Sequence, residues 1–426
     1  MKAELISIFP ELVLSVSAML LLMMGVYNKN TNGQLAIVSK SASFVFLLGL
    51  AAIIFVQKNI TNVNVFNHLV VVDSFAIFCK TVIVFAAVIV LLLAQKYLED
   101  NAENIGFEFP ILIILSVVGM MVMVSAADML TLYIGLELQS LALYVVATAK
   151  RGDARSSEAG IKYFVLGALA SGILLYGISL IYGYSGSTNF AVIASNLETY
   201  KNLPMGIVVG LVLVFVGMCF KLSAAPFHMW APDVYEGVPT PVTAFFAIVP
   251  KLAAAALLIR ICETAFAQFQ SEWQQVIVII SVISMLVGAF AGIWQKNIKR
   301  LLAYSSIGHI GYALVGIAAL GHSGVSAVLT YFVIYILNSI GIFAVVISIS
   351  VRDKMGDGGI EKISHFAGLY KTSPKTAILM TALLVSFIGL PIPPFAGFWG
   401  KFYVFSAAME QGLYALAVIG VVSSVI

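Results

Sequence analysis

Residues 206–230 read GIVVGLVLVFVGMCFKLSAAPFHMW, a run of 25 residues with one charged side chain, Lys221, and a proline five positions after it. As a helix rising 1.5 Å per residue the run spans roughly 37 Å, enough to cross a hydrocarbon core about 30 Å thick. Pro226 removes the amide that would bond the Leu222 carbonyl, and Ser223, Ala224 and Ala225 leave room for a distortion. The sequence therefore predicts a membrane helix that is broken where its lysine sits. Broken backbone is tolerated at that depth only where it faces a polar interior rather than lipid.

The rest of the chain has the same character. Of its 426 residues 61% are hydrophobic and 10% charged, and the mean hydropathy is +1.04. Soluble domains carry about a quarter charged residues. Apolar runs between charged or turn-rich gaps predict helices near 5–27, 36–57, 73–95, 108–126, 128–149, 160–184, 204–230, 240–262, 274–295, 300–320, 324–350, 374–406 and 409–426. The fold class is all-α, a polytopic transmembrane protein of about thirteen helices, with residues 1–426 forming one membrane domain. The first run is too long for a signal-peptide core and reads as a retained helix.

Basic residues fix the orientation. Fourteen of the 23 fall in alternate gaps on one side, among them Lys150, Arg155, Lys296, Lys299, Arg300, Lys362, Lys371 and Lys375, and only Lys2, Lys58, Lys201 and Arg260 on the other. The richer side is expected to be cytoplasmic, which puts the amino terminus outward. The remaining five, Lys80, Lys162, Lys221, Lys251 and Lys401, lie inside apolar runs.

A lysine at mid-helix costs roughly 2.5–3.5 kcal/mol on insertion, so five imply a hydrated interior or partners. Lys80, seven positions from Asp73 at its helix start, is expected to snorkel to the headgroups. Lys221, Lys251 and Lys401 are too far from a water boundary for that. Glu137 is read as the one carboxylate near the middle of a span, with Tyr133, Gln139 and Tyr144 as possible hydrogen-bond partners. An ammonium about 4 Å from a carboxylate at an effective dielectric of about 20 gains about 4 kcal/mol, roughly a thousandfold in proton affinity. Separating such a pair moves protons. A desolvated lysine amine loses its proton more easily and regains it when a carboxylate approaches, which makes it a switchable proton site. His228 and His309 are further relay candidates, each with helix packing as the alternative. Asp128 and Glu108, at span ends, read as interface charges.

A second break is expected in the twelfth helix. Pro391, Pro393 and Pro394 free the carbonyls of Phe387, Gly389 and Leu390. Pro-Phe-His-Met-Trp at 226–230 resembles Pro-Phe-Ala-Gly-Phe-Trp at 394–399. Five helices separate the two, and an odd offset inverts topology. That predicts two inverted five-helix repeats, 107–263 (helices 4–8) and 264–426 (helices 9–13), after three N-terminal helices in 1–106, with discontinuous helices 7 and 12.

Other chemistry finds no support in the sequence. There is no glycine-rich phosphate loop, and Cys79, Cys219 and Cys262 lack metal or disulfide spacing. The net charge of +3 gives no nucleic-acid footprint.

Three segments, KLSAAPFHMWAPDVYEGVPTPVTAFFAIVPK (221–251), NIKRLLAYSSIGHIGYALVG (297–316) and GLPIPPFAGFWGKFYVF (389–405), closely resemble the antiporter-like subunits of respiratory complex I, the NADH–quinone oxidoreductase. The resemblance runs over nearly the whole chain. It implies proton translocation coupled to electron transfer from NADH to quinone elsewhere in the complex, with Glu137 paired to Lys221, then Lys251 and Lys401, and with Lys162 and His228 at supporting polar positions. It also implies an enzyme subunit without a redox centre of its own, FMN and iron–sulfur clusters on other subunits, the antiporter-like subunit M and the small subunit K as neighbours, and a bacterial inner membrane. The family has fourteen helices, so the thirteenth run ending at VVSSVI reads as an apparent truncation. A cation/proton antiporter subunit of the Mrp kind, or a membrane-bound hydrogenase subunit, is the alternative. A static scaffold is disfavoured by five buried lysines against one glutamate.

Overall fold

The computed structural model describes residues 2–27, 31–59, 63–150, 152–198, 200, 203–352, 361–392 and 395–426. The chain is all-α apart from one small hairpin. The first crossing is α1 (Lys2–Ser7) and α2 (Phe9–Tyr27), followed by α3 (Thr31–Asn59). The hairpin is β1 (Val63–Val65) antiparallel to β2 (Val70–Val72), with Val63 opposite Val72. Next come α4 (Ser74–Asp100), α5 (Glu108–Val124), α6 (Met129–Ala147), α7 (Ala154–Ser185), a short α8 (Phe190–Leu197) and α9 (Met205–Leu222). After α10 (Trp230–Gly237), α11 (Thr240–Arg260) runs into a π-helical turn, Ile261–Ala265. The chain closes with α12 (Gln270–Ile293), α13 (Ile298–Ala318), α14 (His322–Arg352), a single turn α15 (Leu369–Thr372), α16 (Pro374–Ile388), α17 (Gly397–Glu410) and α18 (Tyr414–Val425).

Among the described residues ten helices are long and apolar enough to cross a membrane, and α5, α16 and α18 are shorter apolar helices. These thirteen segments coincide with the thirteen expected runs. Both helix breaks are present. α9 stops at Leu222 and helix resumes only at Trp230, and α16 stops at Ile388 with α17 starting at Gly397. Pro226 and Pro391 lie in the two gaps; Pro393 and Pro394 lie outside the described residues. The sequence reading missed the hairpin and α8. The hairpin turn at Phe66, Asn67 and His68 uses positive φ at three non-glycine residues, a conformation with little sequence signature.

Helix starts are set by side-chain caps. Asp73, Asp128, Asp153, Asn189 and Asn297 each accept amides of the following turn, which the first four N–H groups of a helix require. Asp128 is more than an interface charge: it is buried, caps α6 and accepts from Thr188 Oγ1 at 2.5 Å.

The helices pack as two compact units. The first comprises Met1–Met218, Gly237–Phe245 and Val249–Gln268, and the second Cys219–Glu236, Phe246–Ile248 and Phe269–Ile426. Within the first, α2 to α5 pack on one another and α5 lies along α6. That last pair meets through glycine: a Cβ on Gly119 would stand 2.5 Å from the Gln139 amide and 2.8 Å from the Gly135 carbonyl. Within the second unit α12 and α13 meet the same way, a Cβ on Gly288 falling 2.5 Å from the Gly308 amide. Small residues let backbones approach closely where lipid gives no hydrophobic drive for helix association.

Candidate functional site

In the first unit Glu137 is half-buried on α6 and accepts a short hydrogen bond from Ser171 Oγ of α7, which also bonds the Tyr133 hydroxyl at 3.2 Å. Ser171 was not foreseen, because a serine 34 residues away leaves no local pattern. Of the expected partners, Tyr144 packs edge-on against Tyr163 and Phe164, and the Gln139 carbonyl oxygen is buried without a hydrogen bond. Lys162 is partly exposed and pairs with Glu158 one turn earlier at 2.8 Å. Lys251 is 2% exposed, on a helix, α11, buried along its whole length. Pro250 stands directly before it.

Lys80 departs from expectation. Its ammonium does not reach headgroups but lies 2.6 Å from Glu11 Oε1, with both side chains at least nine-tenths buried. Glu11 thus takes the place of the water partner that snorkelling would supply. Glu11, buried in the first turn of α2, was not foreseen, because a carboxylate close to a helix start gives no sequence sign of burial. Arg260, expected on the outer face, is buried and forks onto Asp73 at 2.9 and 3.0 Å. Burial by itself opposes ionisation of Asp73, yet the Arg260 hydrogen bonds and charge, the Ala76 amide and the Lys80 charge together hold its carboxyl below the ordinary value of 3.8.

In the second unit the break after α9 is closed by side chains. Ala225 N–H donates to Ser284 Oγ at 2.8 Å, and the Trp230 indole donates to the Phe220 carbonyl at 2.9 Å. Lys221 is buried there with its ammonium 5.8 Å from the centre of the Phe220 ring. His228 is half-buried, and its Nδ1 is buried with no hydrogen bond. The break after α16 is closed by Lys401, whose ammonium donates to the Ile388 carbonyl at 2.9 Å and lies 4.6 Å from the Tyr312 ring centre.

His309 sits in the buried middle of α13. Its Nδ1 is 2.6 Å from the Tyr331 hydroxyl, and Tyr312, Tyr335 and Phe387 surround the ring. The Tyr335 hydroxyl donates to the Ala247 carbonyl at 3.0 Å and lies 3.1 Å from Ser306 Oγ, which can donate to it. A pocket of about 10 Å³, about one water in size, lies between Tyr335, Ser305, Ser306 and Ser339. A larger cleft of about 500 Å³ is lined by His309, Tyr312, Lys401, Ser305, Ser423 and Ser424. The structure thus brings His309 and Lys401 to one cleft, whose remaining lining is largely apolar and includes Met285, Leu302, Leu384 and Phe387. The tyrosines and serines around them were not foreseen; aromatic and serine positions on a buried helix look like ordinary packing in sequence.

Cys79, Cys219 and Cys262 are buried and not disulfide-bonded, and among the described residues no three metal-ligating side chains cluster.

Residues 126–426 match the family described as NADH:quinone oxidoreductase/Mrp antiporter, transmembrane. A relative from Paramagnetospirillum magneticum, "NADH-quinone oxidoreductase subunit N", is 48% identical over 99% of this chain and 85% of its own length. The chain belongs to this family, in its subunit N branch. Among solved structures, a chain of respiratory complex I from Thermus thermophilus matches with a TM-score of 0.80 at 30% identity, over 98% of this chain and 86% of that one. A chain of the Mrp complex from Dietzia shares the fold, with a TM-score of 0.83 at 23% identity, over 100% of this chain and 78% of that one. The thirteen apolar segments and this family make the chain a multi-pass membrane protein.

Proposed function

We propose that this chain is the proton-translocating subunit N of an NADH–quinone oxidoreductase, with Glu137, Lys221, Lys251, His309 and Lys401 as the groups that carry protons. The observation that carries the reading is Lys251, an amine 2% exposed midway along a helix with no exposed face. Burying an amine there is costly, and mid-membrane ionisable groups mark proton relays. In this proposal quinone reduction elsewhere in the complex shifts the charge at Glu137, changes lysine proton affinity and drives protons by way of Lys221, Lys251 and His309 to Lys401 and the outer face. The hydroxyls of Tyr331, Tyr335 and Ser306 extend the relay around His309. Lys162 and His228 support proton entry from the cytoplasmic side.

In this reading FMN, the iron–sulfur clusters and the quinone site belong to other subunits, and the neighbours are the other membrane subunits, with M and K adjoining. The membrane is the bacterial inner membrane, with the amino terminus outward, following the basic-residue bias. The inverted repeats 107–263 and 264–426 organise the two broken helices; the glycine-mediated pairs α5/α6 and α12/α13 at their starts support that division. The Mrp alternative shares the fold but at lower identity than the complex I chain. Replacing Glu137 by Ala in the assembled complex tests the reading: proton pumping per NADH oxidised is expected to fall, and an unchanged ratio would remove Glu137 from the mechanism.

A further inference from the structure

Arg260 ends α11 nine residues after Lys251, about 13 Å along the helix axis and beyond reach of its amine. Its guanidinium ties two other helix ends to the end of α11. Nη1 and Nη2 fork onto Asp73, the cap at the start of α4, and Nε donates at 3.1 Å to the carbonyl of Val124, the last residue of α5. The Phe75 ring lies 5.1 Å from the guanidinium carbon. A bidentate fork has one favourable geometry, unlike the point contact a lysine makes.

The regular α-helical ladder of the stretch this clamp ends is interrupted on both sides. Pro250, immediately before Lys251, removes one rung of the helix and crowds the preceding turn. Past Arg260 the backbone widens into the π-turn Ile261–Ala265, with Thr264 Oγ1 bonded to the Arg260 carbonyl at 2.6 Å. Ten buried residues that include the amine therefore lie between a proline and a π-turn, and Arg260 ties their far end to α4 and α5. We propose that Arg260 and Asp73 are positioning residues for Lys251: their ion pair sets the depth and rotation of residues 251–260, so proton transfer at Lys251 depends on a clamp outside the row of amines. This rests on the reading of Lys251 as a proton site.

The test measures protons pumped per NADH oxidised in vesicles containing assembled complex, for Asp73→Asn, Arg260→Lys and Lys251→Ala. Asparagine caps a helix as well as aspartate, so Asp73→Asn removes the ion pair and spares the start of α4. Arg260→Lys keeps the charge and removes the fork. A purely structural role would lower the amount of complex and leave the ratio per assembled complex intact. The expected result is a loss of ratio approaching that of Lys251→Ala in both clamp variants, with Asp73→Glu recovering much of it. A wild-type ratio in either assembled clamp variant, beside a pumping-deficient Lys251→Ala, overturns the clamp alone. A wild-type ratio in Lys251→Ala overturns the proton-site reading beneath it.

Discussion

Lys401 Nζ donates to the Ile388 carbonyl at 2.9 Å, so the backbone group released where α16 stops is satisfied by the charged end of α17. The break and the amine are one device. The bond gives the carbonyl of half-exposed Ile388 a donor and spares the buried Lys401 ammonium the cost of having no partner. Moving the Lys401 proton therefore also loosens the break.

Gly389 makes that contact possible. Its φ is +80°, and a Cβ there would stand 3.0 Å from Lys401 Cδ. Gly389→Ala is expected to displace the ammonium and reduce pumping per NADH. Gly412→Ala, with φ +74° but open space around it, imposes the same backbone strain of about 1–2 kcal/mol without touching an amine and should pump normally. Parallel pumping assays on the two variants check this.

The Glu11–Lys80 pair predicts strong non-additivity. Lys80→Met alone leaves a buried carboxylate and should destabilise by about 3–5 kcal/mol, whereas Glu11→Met with Lys80→Met should restore most of that. Thermal midpoints of the purified complex in a double-mutant cycle decide it; additive losses would contradict the pairing.

Ser171 is expected to tune Glu137. Ser171→Ala removes a hydrogen bond to a carboxylate, worth about 1.5–3 kcal/mol, and should lower coupled turnover by roughly tenfold or more. Tyr133→Phe, whose hydroxyl meets Ser171, should lower it less. Proton-pumping rates at saturating NADH measure both.

Asp73 predicts an acid limit. Its carboxyl binds protons less readily folded than unfolded, so its contribution to stability is complete above the unfolded value and drains away as pH falls through the lower folded one. The wild type should lose stability from about pH 4 downward. Asp73→Asn should be weaker already at neutral pH and show a shallower acid slope, read from unfolding midpoints against pH.

The helices and both breaks were legible because apolar length and proline leave strong local signals. Lys221, Lys251, His309 and Lys401 were legible for the same reason: a charged or titratable residue inside an apolar run stands out. What escaped depends on distance in sequence. Glu11 meets Lys80 across 69 positions, Arg260 meets Asp73 across 187, and Ser171 reaches Glu137 across 34. Near a span end, carboxylates and arginines look solvated until a partner from another helix covers them. Lys80 was misjudged on that account, since its nearness to Asp73 suggested water and the structure supplied Glu11.

The central claim is that amines held halfway through the lipid carry the pumped protons. The most direct test is proton uptake per NADH oxidised in sealed vesicles whose complex carries Lys221→Met, Lys251→Met or Lys401→Met. Each variant is expected to oxidise NADH with a reduced ratio of protons moved; wild-type ratios and wild-type membrane potential in all three would contradict the account.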